Sequence, residues 1–240
     1  MCSVTEEIAK TVPVADPGEV ILIDKPLTWT SFDVVNKLKK ACRFKKIGHA
    51  GTLDPLATGL LILCTGKKTK QIDHYQAQEK EYTGTLVLGK TTPSIDLETE
   101  FDGEYPVDHI PNSGLIEAAL QSLTGELEQY PPIYSAVRLD GERLYKKARR
   151  GESVEIKPRR IHVHEFEVDT RLFPEIQFRI VCSKGTYIRS LVRDFGKLVQ
   201  SGAYLKSLRR TRIGDFHVDQ AWELETYIKR KRSELGLPID

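Results

Sequence analysis

One carboxylate stands out for its setting. Asp54 lies between Leu53 and Pro55 inside the string Gly48-His49-Ala50-Gly51-Thr52-Leu53-Asp54-Pro55-Leu56-Ala57-Thr58-Gly59, and no other acid occurs between Asp33 and Asp73. Three glycines in twelve residues describe a backbone that turns sharply or approaches something closely. Pro55 removes a backbone donor and steers Asp54 away from helical geometry, so the carboxylate sits on a stiffened, extended turn. A lone acid held rigidly among apolar neighbours suits a nucleophile or a group that orients substrate. An Asp-Pro turn beside a tight glycine corner is the plainer interpretation of either feature alone.

A second chemistry-bearing stretch is Lys184-Gly185-Thr186-Tyr187-Ile188-Arg189-Ser190-Leu191. Ile188, Leu191, Val192, Phe195, Leu198 and Val199 form one apolar stripe at helical spacing, with Thr186 placed as N-cap. Arg189 falls in the first turn, off the stripe, where it can point into a cleft. The same helix N-terminus with Lys184 beside it could instead hold a phosphate.

The elements that must carry these residues are legible in outline. Glu19 to Ile23 reads as a buried strand ending at Asp24-Lys25-Pro26. Thr30 or Ser31 caps a helix whose apolar positions run from Val34 to Cys42. Leu60 to Cys64 is a second buried strand, Lys67 to Ala77 a short helix, and Glu81 to Gly89 a strand opened by Tyr82. Ser94 to Pro111 is expected to be an acidic surface connection, and Ser113 to Leu123 an amphipathic helix. Arg160 to Val168 alternates with one slip at Phe166, Ile176 to Cys182 alternates cleanly, and Leu205 to Ile213 is a further strand. Asp219 to Leu235 closes the chain as a helix.

Composition narrows the function classes. The 240 residues are 40% apolar and 29% charged, with no apolar run of membrane-spanning length and no leading signal segment. A cytoplasmic protein is expected. Cys2, Cys42, Cys64 and Cys182 are scattered and form no Cys-x-x-Cys pair, which suits a reducing compartment. His162 and His164 share a strand face without a third ligand in sequence, so no metal site is expected. Gly59 to Lys68 fails as a phosphate-binding loop: six residues, not four, separate Gly59 from Gly66, and Lys68 follows Lys67 where Ser or Thr is required.

The net charge is only +2, yet its distribution is uneven. Ser94 to Glu128 holds nine acids and no Lys or Arg. Lys25 to Lys46 holds seven basic residues against Asp33, Arg138 to Arg160 nine against four acids, and Lys184 to Arg212 eight against Asp194. This segregation points to a basic face for a polyanion. Arg143, Lys146, Lys147, Arg149 and Arg150, interleaved with Tyr145, suit phosphate contact with stacking, as do Arg209 and Arg210 on the late strand.

Taken together, Gly48 to Gly59, Ile21-Leu22-Ile23-Asp24-Lys25-Pro26 and Lys184 to Leu191 resemble the motifs of the TruB family of tRNA pseudouridine synthases, in separated blocks through about Arg212. The resemblance implies an isomerase acting on the T-loop uridine of tRNA (conventionally position 55), without metal or cofactor, as a monomer on the T-arm stem-loop. It implies Asp54 as the catalytic carboxylate, Arg189 as its ion-pair partner, and Tyr82 stacked on the target base. Tyr187 and Leu208 would complete the base pocket, His49 would wedge into the T-loop, and Lys25 and Lys184 would support or contact the substrate. The implied fold is α+β: a mixed, largely antiparallel sheet flanked by helices, with residues 130–157 as a basic, thumb-like insertion. Residues 1–17 would be a loose tail and 18–240 one catalytic domain. The 28 residues after Arg212 are too few for the separate C-terminal RNA-binding domain of many members. Two rivals stand beside this interpretation. One is a non-catalytic RNA-binding module using Gly48-His49-Ala50-Gly51 as a backbone clamp like that of KH domains, which join two helices and need no Asp54. The other is a hydrolase with an aspartate nucleophile, for which no water-activating base is evident.

Overall fold

The computed structural model describes residues 17–111, 114–135, 138–139, 141–144, 147, 150, 152 and 156–238. Strands are numbered in chain order: β1 (Val20–Lys25), β2 (Ile47–His49), β3 (Ala57–Thr65), β4 (Lys80–Leu88), β5 (Lys90–Thr91), β6 (Gly103–Glu104) and β7 (Gly125–Gln129). They continue as β8 (Arg138–Leu139), β9 (Glu142–Arg143), β10 (Arg159–Leu172), β11 (Glu175–Cys182), β12 (Ala203–Ile213), β13 (Phe216–His217) and β14 (Trp222–Glu223). The helices are α1 (Ser31–Ala41), α2 (Ile72–Ala77), α3 (Leu115–Ser122), α4 (Ile188–Leu198) and α5 (Leu224–Glu234).

A ten-stranded sheet runs β14-β1-β3-β12-β4-β11-β10-β7, with β2 added to β3 and β13 to β12. Among the strands of the described residues only β1–β14 and β12–β3 pair in parallel, so the expected mixed, largely antiparallel sheet is what the chain forms. The β3–β12 join matters most for the site. Gly59 stands opposite Arg210 with φ at +102°, and a Cβ there would lie 2.3 Å from the Arg210 carbonyl oxygen. Only glycine permits that approach. It brings the strand carrying Leu208 and Arg210 against the end of the Asp54 loop.

Sequence periodicity accounts for most of these elements. Thr30 caps α1 through a reciprocal box: its hydroxyl accepts the Asp33 N–H at 3.0 Å, while Asp33 accepts the Thr30 N–H at 2.9 Å. The slip before Phe166 is a bulge in β10, where the register against β11 shifts between Val163 and Glu165 and returns Phe166 to the core. Along α4, Ile188, Leu191, Val192, Phe195 and Val199 are buried against the sheet. Leu198, expected on that stripe, is 41% exposed on the last turn.

Two expectations need correction. Thr186 is not the N-cap of α4: Tyr187 holds that position, and the Thr186 hydroxyl is spent on the Ser183 carbonyl at 3.0 Å. Nor is Ser94–Pro111 wholly a surface connection. Ser94, Ile95, Asp96 and Ile110 are buried, and Leu205 of β12 donates its N–H to the Ile95 carbonyl at 2.8 Å. The many acids that follow Asp96 made this inward segment look uniformly solvated. Among the described residues, no helix is long and apolar enough to cross a membrane.

Candidate active site

Asp54 projects from the loop between β2 and β3, and the loop is pinned from below. The Leu53 N–H donates to the Ser31 hydroxyl at 2.9 Å, the Thr28 N–H to the Pro55 carbonyl at 2.9 Å, and the Ala57 N–H to the Asp54 carbonyl at 3.0 Å. Beneath it lies Lys25, fully buried, whose ammonium donates to the carbonyls of Pro26 at 2.9 Å, Trp29 at 2.5 Å and Pro55 at 3.4 Å. Burial pulls the Lys25 pKa down to about 8, opposed by the Asp54 charge. Lys25, expected at the substrate, is thus turned into the fold and is not among the cavity's walls. It ties the end of β1 to the underside of the Asp54 turn.

Arg189 reaches the same carboxylate from the first turn of α4. Its Nε lies 2.8 Å from Asp54 Oδ2 and 3.7 Å from Asp96 Oδ2. Its two remaining nitrogens are fixed on backbone: Nη1 donates to the Ser94 carbonyl at 2.9 Å and Nη2 to the Tyr134 carbonyl at 2.8 Å. With 3% of its side chain exposed, the guanidinium is a buried fixed charge, hydrogen-bonded through both Nη atoms while Nε meets Asp54 as an ion pair outside hydrogen-bond geometry. Asp54 keeps 36% of its side-chain surface, at the floor of an open cavity. Being hemmed in by protein raises its pKa above the ordinary carboxylate value; Arg189 opposes that rise, and the charges of Asp96 and Glu98 add to it.

The cavity measures ≈ 470 Å³, within the size range of small-molecule sites, and Tyr82, Tyr187, Leu208 and Ile188 supply its apolar surfaces. Tyr82, 8% exposed, sits mid-sheet between Ile180 of β11 and Arg210 of β12. Burial raises the pKa of both the Tyr82 and Tyr187 phenols, and the Asp54 charge pushes in the same direction. Both phenols therefore stay protonated at neutral pH.

Tyr187 is held by Gln129, the buried last residue of β7. The Gln129 side chain accepts the Tyr187 N–H at 2.8 Å and donates to the Tyr187 carbonyl at 3.1 Å. A glutamine amide carries the donor and acceptor of a peptide group, so it satisfies both as a neighbouring strand would. The segment after Gln129 is tied to α4 as well, through Ser190 Oγ donating to the Tyr130 carbonyl at 2.8 Å and through Arg189 at Tyr134.

The structure thus gathers Asp54, Tyr82, Tyr187, Leu208 and Lys184 around one cavity, with Arg189 behind the carboxylate. His49 is not among the cavity's walls; it is half-buried on β2 opposite Leu63, and burial lowers its pKa so that it is neutral. Arg210, expected at RNA backbone, is 1% exposed and donates to the carbonyls of Leu60 at 2.8 Å and Gly51 at 3.3 Å, forming cavity wall. Arg209, expected likewise, is engaged with both Asp24 oxygens at 3.0 and 2.6 Å. In the basic insertion, Arg150 is bidentate on Glu142 at 2.8 Å and also contacts Glu152 at 2.6 Å. Arg143 belongs to β9, paired with Arg138, and Lys147 is half-buried; Lys146, Arg149 and Tyr145 lie outside the described residues.

Sequence inspection missed Asp96, Gln129, Lys80, Arg159 and Arg160. Asp96 had one signal available, an acid directly after buried-type Ile95 and the turn Pro93-Ser94. Lys80 is 6% exposed, donates to the carbonyls of Gln76 at 2.5 Å and of Gln78, and has a pKa lowered to about 8 by burial. Gly48-His49 pairs with β3 as strand, so the loop does not join two helices as the backbone-clamp alternative would require.

Comparison with known proteins agrees with this arrangement. The profile of the TruB family pseudouridylate synthase N-terminal domain matches residues 39–188. The chain is 56% identical over 217 residues to a tRNA pseudouridine synthase B of Flavobacterium johnsoniae, covering 88% of this chain and 94% of the relative. It is 52% identical over 216 residues to the protein of that name in Phocaeicola vulgatus, covering 88% and 92%. Among solved structures, a Cbf5-Nop10-Gar1 complex contains a chain 29% identical with a TM-score of 0.67, covering 91% of this chain and 56% of that one. An H/ACA RNP bound to a substrate RNA containing 2'-deoxyuridine gives 27% identity and a TM-score of 0.65 over the same shares. This chain belongs to the TruB family of pseudouridylate synthases.

Proposed function

We propose that the protein isomerises uridine to pseudouridine at position 55 in the T-loop of tRNA, with Asp54 as the working carboxylate. The observation that carries this is the Asp54–Arg189 pair at 2.8 Å on the floor of a cavity faced by Tyr82, Tyr187 and Leu208. Isomerisation breaks the bond from uracil N1 to the sugar, turns the uracil, and rejoins it through C5. The proton on C5 leaves to solvent and N1 ends protonated, so there is no net redox change. The chemistry asks for one ionised carboxylate beside a base taken out of its stack. Arg189 opposes the rise in the Asp54 pKa that enclosure causes and so favours the anion. Removing a base from its stack costs a few kcal/mol, and each new stacking contact returns about 1–3 kcal/mol. Tyr82 and Leu208 supply that surface, with Tyr187 as the second ring.

The same proposal treats residues 18–240 as one catalytic domain, with 130–157 closing over a T-arm stem-loop, and places the monomeric protein in the cytoplasm with its substrate. The test is an unmodified tRNA transcript carrying tritium at uridine C5. Tritium should be released to one equivalent per tRNA, and replacing uridine 55 by cytidine should abolish release. Release that survives the replacement would assign the activity to another uridine.

A further inference from the structure

The cavity is electrically lopsided. Five cationic side chains line it against one acid, Asp54. Lys80 and Arg210 are spent on backbone carbonyls inside the fold. That leaves Lys184 and two consecutive arginines at the start of β10, Arg159 and Arg160, both exposed. Among the described residues, neither arginine makes an ion pair or a side-chain hydrogen bond, although Glu128 stands directly opposite Arg160 across the β7 pairing. Most other arginines here are committed: Arg179, Arg209, Arg212 and Arg230 to carboxylates, Arg189 and Arg210 to the interior.

Their backbone is held by the sheet. Pro158 stiffens the approach, and both residues pair with β7, Arg159 opposite Gln129 and Arg160 opposite Glu128, while β11 joins β10 from Val163 onward. Gln129 is the residue that holds Tyr187, and the Arg159 charge acts on the Tyr187 phenol. Two permanent, unpaired charges on rigid strand at a cavity mouth, one strand away from the residue that positions a pocket ring, are placed to receive anionic oxygens.

We infer that Arg159 and Arg160 form a phosphate-binding site for the RNA backbone that flanks the nucleotide in the cavity. Adjacent strand residues project to opposite faces, so the pair receives two separate phosphates instead of chelating one. The inference rests on the tRNA reading above, and it adds a backbone contact at the start of β10 to that of the basic insertion, where Arg150 is paired with Glu142 and Glu152.

The experiment measures binding of an unmodified tRNA transcript as a function of salt for wild type, Arg159→Gln, Arg160→Gln and the double variant, with Arg171→Gln, an exposed arginine at the far end of β10 and outside the cavity lining, as the control. Each phosphate contact contributes about 0.7–0.9 to the slope of log affinity against log salt, so each single variant should flatten it by that amount and the double by about 1.4–1.8. Affinity should fall on the order of tenfold per arginine at low salt, with kcat/KM falling in step, while Arg171→Gln keeps the wild-type slope. Slopes equal to wild type in the double variant would overturn the site. So would a double variant that flattens no more than a single one, since that means one shared phosphate. Tritium release by wild type is scored separately: its absence would sink the proposed activity, whereas the salt slopes judge the arginines by themselves.

Discussion

Arg189 is the residue on which two carboxylates converge, and the consequences are different for each. Asp54 lies 2.8 Å from its Nε and Asp96 3.7 Å. Arg189 lowers the Asp54 pKa while Asp96 raises it, and enclosure leaves the balance above the ordinary carboxylate value. Ionised Asp54 is the form the reaction needs, so the single-turnover rate should fall as pH drops through that raised pKa. Replacing Asp96 by Asn removes a repelling charge, and the acid limb of the pH–rate profile should move to lower pH. The other groups near Asp54 are Glu98, Lys25 and the two phenols, all unchanged in that variant. An acid limb that stayed put, or moved up, would mean that Asp96 does not act on Asp54 through its charge. Asp54 itself was legible because its loop composition is so restrictive. Asp96 was not: nine acids between Ser94 and Glu128 conceal the one that turns inward, and burial has no marker in composition.

Strands and helices set the reach of these side chains, and the join between β7 and α4 shows how. α4 has no side-chain cap of its own; the Tyr187 N–H is satisfied by Gln129, from an element 58 residues earlier. The sequence pattern predicts the helix correctly from its apolar stripe but assigns the cap to Thr186, because local spacing cannot register a partner supplied by tertiary contact. Gln129→Leu would leave the Tyr187 N–H without its partner, a loss of roughly 1–3 kcal/mol, while the Tyr187 carbonyl keeps the Leu191 N–H at 3.2 Å. The melting temperature should fall. Because Tyr187 and Arg189 share the loosened turn, the single-turnover rate should fall more than tRNA affinity does. Gln129→Glu keeps the acceptor for the N–H and should recover part of the rate. Equal losses of rate and affinity, or no recovery with Glu, would reduce Gln129 to ordinary packing.

At the scale of the whole molecule, the ten-stranded sheet brings a loop after β2, the start of β4, the start of α4 and a stretch of β12 to one cavity. The strands, and the sheet's mixed but largely antiparallel character, were accessible from alternation and from the family resemblance. Their order was not accessible from periodicity, because β3–β12 pairing depends on a glycine contact 151 residues away in sequence, Gly59 against Arg210. The partners of charged residues are hidden for a related reason. Clusters of Arg and Lys in sequence suggested phosphate contacts at Arg150, Arg209 and Arg210, yet folding supplies each of these with a carboxylate or carbonyl partner. What the fold leaves unneutralised at the cavity mouth is a different set. The central claim is nonetheless about one side chain, and one comparison tests it most directly: single-turnover tritium release from C5-labelled tRNA by wild type and by Asp54→Asn, with tRNA binding measured on both. Asp54→Asn should bind tRNA at least as well and release no tritium above background; release at a rate near that of wild type would contradict the account.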